Sequence, residues 1–189
     1  FFRTMIFLPC TTSLVAYSII FRSLFANDGL VNYVLVNLGI LDKPYNFLTQ
    51  PFAAKIVIIL ALLWRWTGYN MVFFLSGLQN IEYSVYEAAK IDGASAIQTF
   101  FKITVPLLKP TILLTAIMST NGTLQLFDES VNLTDGGPAN ASISMSHYIY
   151  NLCFKYVPNF GYAAAMSFFI LLLVAVLAFI QMRVGDKRD

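Results

Sequence analysis

A cluster of aromatic, basic and amide side chains lies inside a long apolar segment, in the stretch Trp64-Arg65-Trp66-Thr67-Gly68-Tyr69-Asn70. Trp and Tyr rings present flat apolar faces and Asn both donates and accepts hydrogen bonds, a combination suited to binding hydroxyl-rich solutes without covalent chemistry. Gly68 permits close approach of a ligand or of another helix. An arginine at the bilayer centre costs about 2.5–3.5 kcal/mol on insertion scales, so Arg65 is expected to point inward or to pair. Packing between helices remains the alternative role for the aromatic rings.

The apolar segment 107–127 carries a second set of polar side chains: Thr111, Thr115, Ser119 and Thr123, with the adjacent pair Asn121 and Gln125. The first four recur every four residues and therefore share one helical face. Polar groups that face lipid are costly, so these side chains are expected to line the interior of a bundle. Hydroxyls in membrane helices also bond their own backbone or join neighbouring helices, and this reading stays open for Thr111 and Thr115.

Several kinds of chemistry find no support in the sequence. No nucleophile–base pair or metal-ligand spacing occurs, and His147 stands without a partner Cys, His or carboxylate at helical spacing, so a solvated or capping imidazole is expected. No G-x-x-x-x-G-K-[ST] loop occurs, so no P-loop binding of ATP is predicted. The net charge of +2 is too small to indicate nucleic acid as a partner. The chain is therefore not predicted to be an enzyme.

The composition predicts an all-α membrane protein with several spans. Of the 189 residues, 58% are hydrophobic and 12% are charged, whereas soluble domains are about half apolar and a quarter charged. A bilayer core needs about 20 predominantly apolar helical residues. Four segments qualify, namely residues 5–25, 52–78, 107–127 and 162–182. The single domain 1–189 begins Phe1-Phe2-Arg3 without Met, and we interpret it as part of a longer protein.

The Lys and Arg residues of the connections predict the orientation of these spans. One side would hold Arg3, Lys90, Lys102, Lys109, Arg183, Lys187 and Arg188, and the other only Lys43 and Lys155. Positive residues favour the cytoplasm. The connection 79–109 and the C-terminus are therefore expected inside, and the connections 26–51 and 128–161 outside. Residues 143–154 are predicted to form a short helix at the outer face.

The inside connection is predicted to form a helical hairpin. Ser84 with Glu87, and Ser95 with Gln98, have the spacing of two capping boxes, and Gly93 between them can adopt the positive φ that ends a helix. Pro106 and Pro110 fall near the first turn of the next span, where proline is tolerated. Such a hairpin could dock a cytoplasmic partner, and its apolar residues could equally face the membrane or neighbouring helices.

The same connection resembles a known family motif. Glu87-Ala88-Ala89, then Gly93, Ile103 and Pro106 at matching spacing, is similar to the EAA loop of binding-protein-dependent ABC permeases, with Val105 where leucine is commoner. The string from Tyr86 to Ser95 looks like the carbohydrate-importer branch. Trp66-Thr-Gly-Tyr69 and Leu133-Thr-Asp-Gly-Gly-Pro138 resemble the maltose-permease F-type subunit and its relatives.

The resemblance implies a type I ABC importer permease in the prokaryotic inner membrane, with the four spans as core helices three to six and the EAA loop at about residues 82–106. It implies that this loop contacts a separate ATPase through Glu87, Ala88, Ala89, Asp92, Gly93, Ile103 and Pro106. The cargo pathway implied by the resemblance and the polar positions comprises Trp64, Trp66, Gly68, Tyr69, Asn70, Ser119, Asn121, Thr123 and Gln125. The capping role of Glu87 remains an alternative to coupling.

The implied partners are an ATPase dimer, a second homologous permease subunit, an extracytoplasmic sugar-binding protein, a sugar or oligosaccharide cargo and membrane lipid. No cofactor is expected on this chain, since ATP and Mg would bind the ATPase. Two alternatives stay open: an importer of the same class for glycerol phosphate, polyamine or peptide, and a secondary transporter. An anionic cargo would favour inward basic residues, and Arg65 leaves that option open. The secondary transporter is disfavoured because the predicted spans hold no Asp or Glu in their middles.

Overall fold

The computed structural model describes residues 2–185, which form a bundle of helices with no strand in that range. Lys187 and Arg188, which entered the orientation argument, lie outside the described residues. The helices, in chain order, are α1 (Phe2–Thr11), α2 (Leu14–Leu24), α3 (Leu30–Asn37), α4 (Pro51–Gln79), α5 (Tyr83–Ile91), α6 (Ala96–Thr99), α7 (Val105–Leu107), α8 (Lys109–Leu124), α9 (Asp128–Asn132), α10 (Met145–Tyr150) and α11 (Phe160–Gly185). The predicted all-α class is confirmed.

Two of these helices, α4 and α11, are long and apolar enough to cross a membrane. The number rises to four if α1 with α2, and residues 96–107 with α8, are each counted as one bent span. α4 and α11 cover the segments predicted at 52–78 and 162–182. At 29 residues, α4 is about 43 Å long, which exceeds a hydrocarbon core of about 30 Å.

The segment predicted as one continuous span at residues 5–25 is instead two helices, α1 and α2, with a bend of 106° between them. Pro9 lies inside α1 and lacks a backbone N–H, and the Thr12 hydroxyl donates to the Pro9 carbonyl at 2.7 Å. Ser13 then caps α2 by accepting from the Ala16 N–H at 3.1 Å. Apolar composition alone could not predict this break, because both halves are predominantly apolar.

The core of the bundle lies where α2, α4 and the segment after α8 meet. Tyr17 and Phe21 of α2 pack against Val57 and Ala61 of α4, and Leu133 completes the cluster. α1 lies along α4 at Gly68, where an added Cβ would overlap the Ile6 carbonyl oxygen. Small residues thus set how closely α1 approaches α4.

The connecting hairpin, which we define as residues 82–104, contains α5, α6 and one turn of π-helix, Phe100–Thr104. Gly93 has φ +75° at the turn between α5 and α6, as predicted. The capping box of Ser95 and Gln98 is present. The box predicted for Ser84 and Glu87 is wrong: α5 begins at Tyr83, so Ser84 lies within the first turn and its hydroxyl donates to the Glu82 carboxylate at 3.2 Å.

The hairpin continues through α7 into α8 with a bend of 65°. Pro106 lies at the start of α7, which continues directly from the π-helical turn, and Pro110 lies in the first turn of α8, where the missing N–H of a proline is tolerated. α8 ends at Leu124, and the chain turns into α9, which packs against α2 and α4. Part of the connection predicted to lie outside is therefore packed within the bundle.

His147 of α10 is buried, with 1% exposure, and the expectation of a solvated ring is wrong. Its Nδ1 lies 2.9 Å from the Ser130 hydroxyl, which also donates to the Ser142 carbonyl. Burial lowers the pKa of His147 and outweighs the opposing attraction of Asp135. The neutral ring therefore holds the loop after α9 against α10. The predicted short helix at 143–154 appears as α10 and the π-helical turn Asn151–Lys155.

We predict that Gly68→Ala destabilises the protein, because a Cβ there meets α1 backbone that cannot move without separating the two helices. Overpacking of this kind typically costs about 1–3 kcal/mol. Thermal unfolding of the full-length protein in detergent measures the effect. The matched control is Gly161→Ala, where a Cβ meets nothing within 4 Å. Equal melting temperatures for the two variants would contradict the packing role of Gly68.

Candidate functional site

The candidate residues of α4 point to different sides of that helix. Trp64 packs against α2, with its ring centroid 5.5 Å from that of Phe21 and 6.4 Å from that of Tyr17. Gly68 is buried against α1. These two positions are explained by helix packing, and the structure does not bring them together with the other predicted pathway residues.

Trp66, Tyr69 and Asn70 are half-buried and form a face toward α8, as their spacing of three and four residues requires. The Trp66 ring packs on Gly122, where an added Cβ would lie 2.6 Å from the ring. The Asn70 amide lies 3.4 Å from the Ser119 hydroxyl, and its Oδ1 is buried without a hydrogen-bond partner. The structure thus brings together Trp66, Tyr69, Asn70 and Ser119 and leaves an acceptor among them unsatisfied.

A cleft of about 290 Å³ opens beside this face and is lined by Cys10, Arg65, Trp66 and Tyr69. The Trp66 and Tyr69 rings meet edge to face with their centroids 5.3 Å apart. The Cys10 thiol donates to the Arg65 carbonyl at 3.0 Å, which ties α1 to the floor of the cleft. Aromatic faces and polar groups with few fixed partners are features of small-molecule sites.

The other polar residues of α8 lie elsewhere. Asn121 and Gln125 line a separate cleft with residues of α10 and α11, and the Gln125 amide donates to the Asn121 oxygen at 2.6 Å. The Thr123 hydroxyl donates to the Ser119 carbonyl at 2.8 Å. Thr115 likewise bonds the Thr111 carbonyl at 2.9 Å. The predicted row of hydroxyls is therefore satisfied in part by its own backbone, and the candidate pathway residues divide between two clefts.

Arg65 is the central residue of α4 and is paired, as predicted. Its Nη1 lies 3.6 Å from Oε1 of Glu129, and its guanidinium carbon lies 5.7 Å from the centroid of the Tyr17 ring. The Tyr17 hydroxyl donates to the same Glu129 oxygen. Sequence reasoning did not name Glu129, because this residue falls just after the predicted span 107–127. A lone arginine in the middle of a span was the signal that an acidic partner had to be close.

The predicted coupling residues lie on and beside the connecting hairpin. Glu87, Ala88, Asp92 and Gly93 are exposed, whereas Ala89 is buried and Ile103 is half-buried. Pro106 is exposed at the start of α7. The Tyr86 hydroxyl lies 3.3 Å from that of Thr104, joining α5 to the π-helical turn. Because the first capping box is absent, Glu87 has no capping role in this structure.

The described residues contain no group of three or more His, Cys, Asp or Glu side chains that could hold a metal ion. Cys10 and Cys153 are both free thiols. The arrangement is suited to noncovalent contact with a polar solute on α4 and α8, and to contact with another molecule at the exposed hairpin.

Known proteins resemble this chain over nearly its whole length. It is 57% identical over 189 residues to the lactose transport system permease protein of Rhizobium radiobacter, covering 99% of this chain and 63% of the relative. It is 33% identical to the arabinooligosaccharides transport system permease protein of Bacillus subtilis, covering 98% of this chain and 59% of the relative. The chain thus spans less than two thirds of the length of these relatives.

Two solved structures are also similar. A bacterial ABC transporter involved in the import of the acidic polysaccharide alginate matches with a TM-score of 0.87 at 23% identity, covering 100% of this chain and 65% of that one. A bacterial alginate ABC transporter in complex with an alginate pentasaccharide-bound periplasmic protein matches with a TM-score of 0.77 at 26% identity, covering 98% and 62%. These matches confirm the fold expected from the EAA-type motif.

The family model for the inner membrane component of binding-protein-dependent transport systems matches residues 1–188. The match agrees with two features of the structure, the apolar helices and the hairpin with its left-handed Gly93. The chain belongs to the family of binding-protein-dependent transport system inner membrane components.

Proposed function

We propose that this chain is a membrane-spanning permease subunit of an ATP-driven, binding-protein-dependent importer of sugars or small oligosaccharides. The observation that carries the proposal is the 57% identity over 189 residues to a lactose transport permease. Lactose is therefore the first cargo to test. The permease would move cargo by alternating access, driven by a separate ATPase.

The face formed by Trp66, Tyr69, Asn70 and Ser119 supports a sugar as cargo. Sugar hydroxyls both donate and accept, and this face carries the Asn70 amide and the Ser119 hydroxyl. The Asn70 Oδ1 is buried without a partner, so it would accept a hydrogen bond from cargo only when α4 and α8 move apart. The two aromatic rings supply apolar surface for the C–H faces of a sugar ring. Asn121 and Gln125 would contact cargo only if the pathway also reached the second cleft, which they line. Thr123 lines neither cleft, and its hydroxyl would have to release the Ser119 carbonyl to bond cargo.

The exposed connecting hairpin supports coupling to an ATPase dimer that holds ATP and Mg. Ile91 is 86% exposed and Ile97 72% exposed, close to the exposed Glu87 and Gly93. Several large apolar side chains exposed on one short connection are typical of a surface that another protein covers. This role requires the hairpin, and with it the C-terminus, to lie on the cytoplasmic side of a prokaryotic inner membrane.

Two further partners belong to the proposal. A second, homologous permease subunit would cover those apolar side chains of the bundle that do not contact lipid. An extracytoplasmic sugar-binding protein would deliver the cargo. The open cleft of about 580 Å³ at Asn121 and Gln125 supports a neighbouring subunit, since amide groups there would otherwise face lipid. A secondary transporter, the other class that the sequence left open, is not supported by the family to which the chain belongs.

We predict that Gly93→Val uncouples transport from ATP hydrolysis. At φ +75° a side chain strains the turn by about 1 kcal/mol or more and tilts α5 against α6, although a Cβ there meets nothing within 4 Å. The complete transporter in vesicles should keep its ATPase activity and lose most of its sugar transport per ATP hydrolysed.

Gly39→Val is the matched control, because Gly39 also has positive φ, +69°, in open space and lies outside the hairpin. It should impose similar local strain without changing the ratio of sugar moved to ATP hydrolysed. A normal ratio in Gly93→Val, or an equal loss in both variants, would contradict the coupling role of the hairpin.

We also predict that cells lacking the full-length gene lose lactose uptake and that Asn70→Ala slows uptake in complemented cells. Loss of one hydrogen bond to a neutral group, about 0.5–1.5 kcal/mol, should lower the maximal rate up to about tenfold. The half-saturation concentration, set by the binding protein, should stay constant. Thr49→Ala is the control, since that hydroxyl is exposed and bonds the Asn46 carbonyl of its own loop, away from both clefts. Lactose uptake that survives deletion, with uptake of glycerol phosphate lost, would replace the proposed cargo.

A further inference from the structure

The charge of Arg65 bears directly on what the proposed pathway admits. Arg65 lines the same cleft as Trp66 and Tyr69, and 28% of its side chain is exposed. An unpaired guanidinium at this point would attract carboxylates and phosphates, which it can bind through two parallel hydrogen bonds. Whether the cleft favours anions therefore depends on what balances this cation.

The balance comes from Glu129 of α9. Its carboxylate lies 3.6 Å from the guanidinium, its side chain is 5% exposed, and the buried Tyr17 hydroxyl donates to it. Three helices thus fix one negative charge behind one positive charge. The guanidinium and the carboxylate carry opposite charges, so together the pair is neutral. Removing one partner would leave the charge of the other uncompensated, which is costly inside a bundle.

We propose that Glu129 is a specificity-determining residue, which neutralises Arg65 so that the cleft accepts uncharged saccharides and excludes acidic ones. This inference rests on the proposed function. An acidic sugar beside Arg65 would have to compete with a fixed carboxylate already at ion-pair distance and would be repelled by it. Specificity often comes from such a repulsive element in addition to attractive contacts.

The overall fold does not itself impose this exclusion. The similar solved transporter described as importing the acidic polysaccharide alginate has the same architecture with a TM-score of 0.87. Discrimination by charge must therefore come from individual side chains. In the described part of this chain, Glu129 is the carboxylate within ion-pair distance of Arg65.

The experiment compares lactose with its galacturonate analogue, in which C6 of the galactose is oxidised to a carboxylate. Binding of each sugar to the complete transporter in nanodiscs is titrated by saturation-transfer NMR, without the binding protein, whose own preference would mask that of the permease. The variants are Glu129→Gln, the matched control Asp128→Asn, and the reciprocal variant Arg65→Gln. Asp128→Asn removes the same charge one residue away on α9.

The wild-type transporter and Asp128→Asn should prefer lactose. Glu129→Gln should raise the affinity for the acidic analogue relative to lactose by about tenfold, which corresponds to about 1.4 kcal/mol. Arg65→Gln leaves the Glu129 carboxylate unpaired and should instead raise the relative affinity for the 2-amino-2-deoxy analogue of lactose, a cation. If Glu129→Gln fails to assemble, the relative affinity of Arg65→Gln for the amino analogue decides whether the charge pair controls the preference.

The proposal is overturned if the wild type binds the acidic analogue as tightly as lactose, or if neither charge-removing variant shifts the preference. An equal shift in Asp128→Asn would also overturn it, because the effect would then be general electrostatics and not the pair. A wild-type transporter that binds no lactose would contradict the proposed function instead. Lactose binding with an unchanged preference in the variants contradicts the role of Glu129 alone.

Discussion

The pairing of one cation at the centre of a membrane-spanning helix is the constraint on which the rest of the bundle depends. Arg65 occupies the middle of α4, where an uncompensated charge is costly, and its partner Glu129 comes from the segment after α8. That segment must therefore fold back beside α4. The Tyr17 hydroxyl donates to the same carboxylate, so the broken first segment is fixed by the same charge pair.

Close approach of helices at glycine complements this polar anchor. Gly68 admits the α1 backbone, Gly122 admits the Trp66 ring, and Gly77 admits Thr111 and Leu108. In a membrane the hydrophobic effect gives helices little reason to associate, so contact through small residues and a few polar groups has to hold them together. The aromatic face of α4 is consequently positioned against α8 by close packing at glycine, together with two long hydrogen bonds, from Asn70 to Ser119 and from the Tyr69 hydroxyl to the Met118 sulfur.

The sequence predicted the elements whose signals are local. Residue types within a few positions predict three such elements: the left-handed turn at Gly93, the capping box at Ser95 and the helix at residues 143–154. The resemblance to the family is also confirmed, since the family model matches residues 1–188. The sequence did not predict what depends on distant contacts. The burial of His147 requires Ser130 from another helix. Arg65 lies in α4, whereas its partner Glu129 lies in α9, far along the chain. The capping box at Ser84 failed because α5 starts earlier, at Tyr83.

α8 lies between the connecting hairpin and the segment that carries Glu129, and its hydrogen bonds show how firmly it is held there. Its first end continues the hairpin through a 65° bend, and its other end leads to the segment that carries Glu129. Hydroxyls such as Thr115 and Thr123 are satisfied by carbonyls of α8 itself, whereas the bond from Asn70 to Ser119 is long, at 3.4 Å. Two further bonds of α8 cross to its neighbours: the Gln181 amide of α11 donates to the Thr120 hydroxyl at 2.8 Å, and the Asn70 amide of α4 donates to Ser119. A displacement of α8 would have to break or exchange these bonds, because a buried polar group left without a partner is costly. The Arg65–Glu129 pair adds a third tie, between α4 and the segment that follows α8.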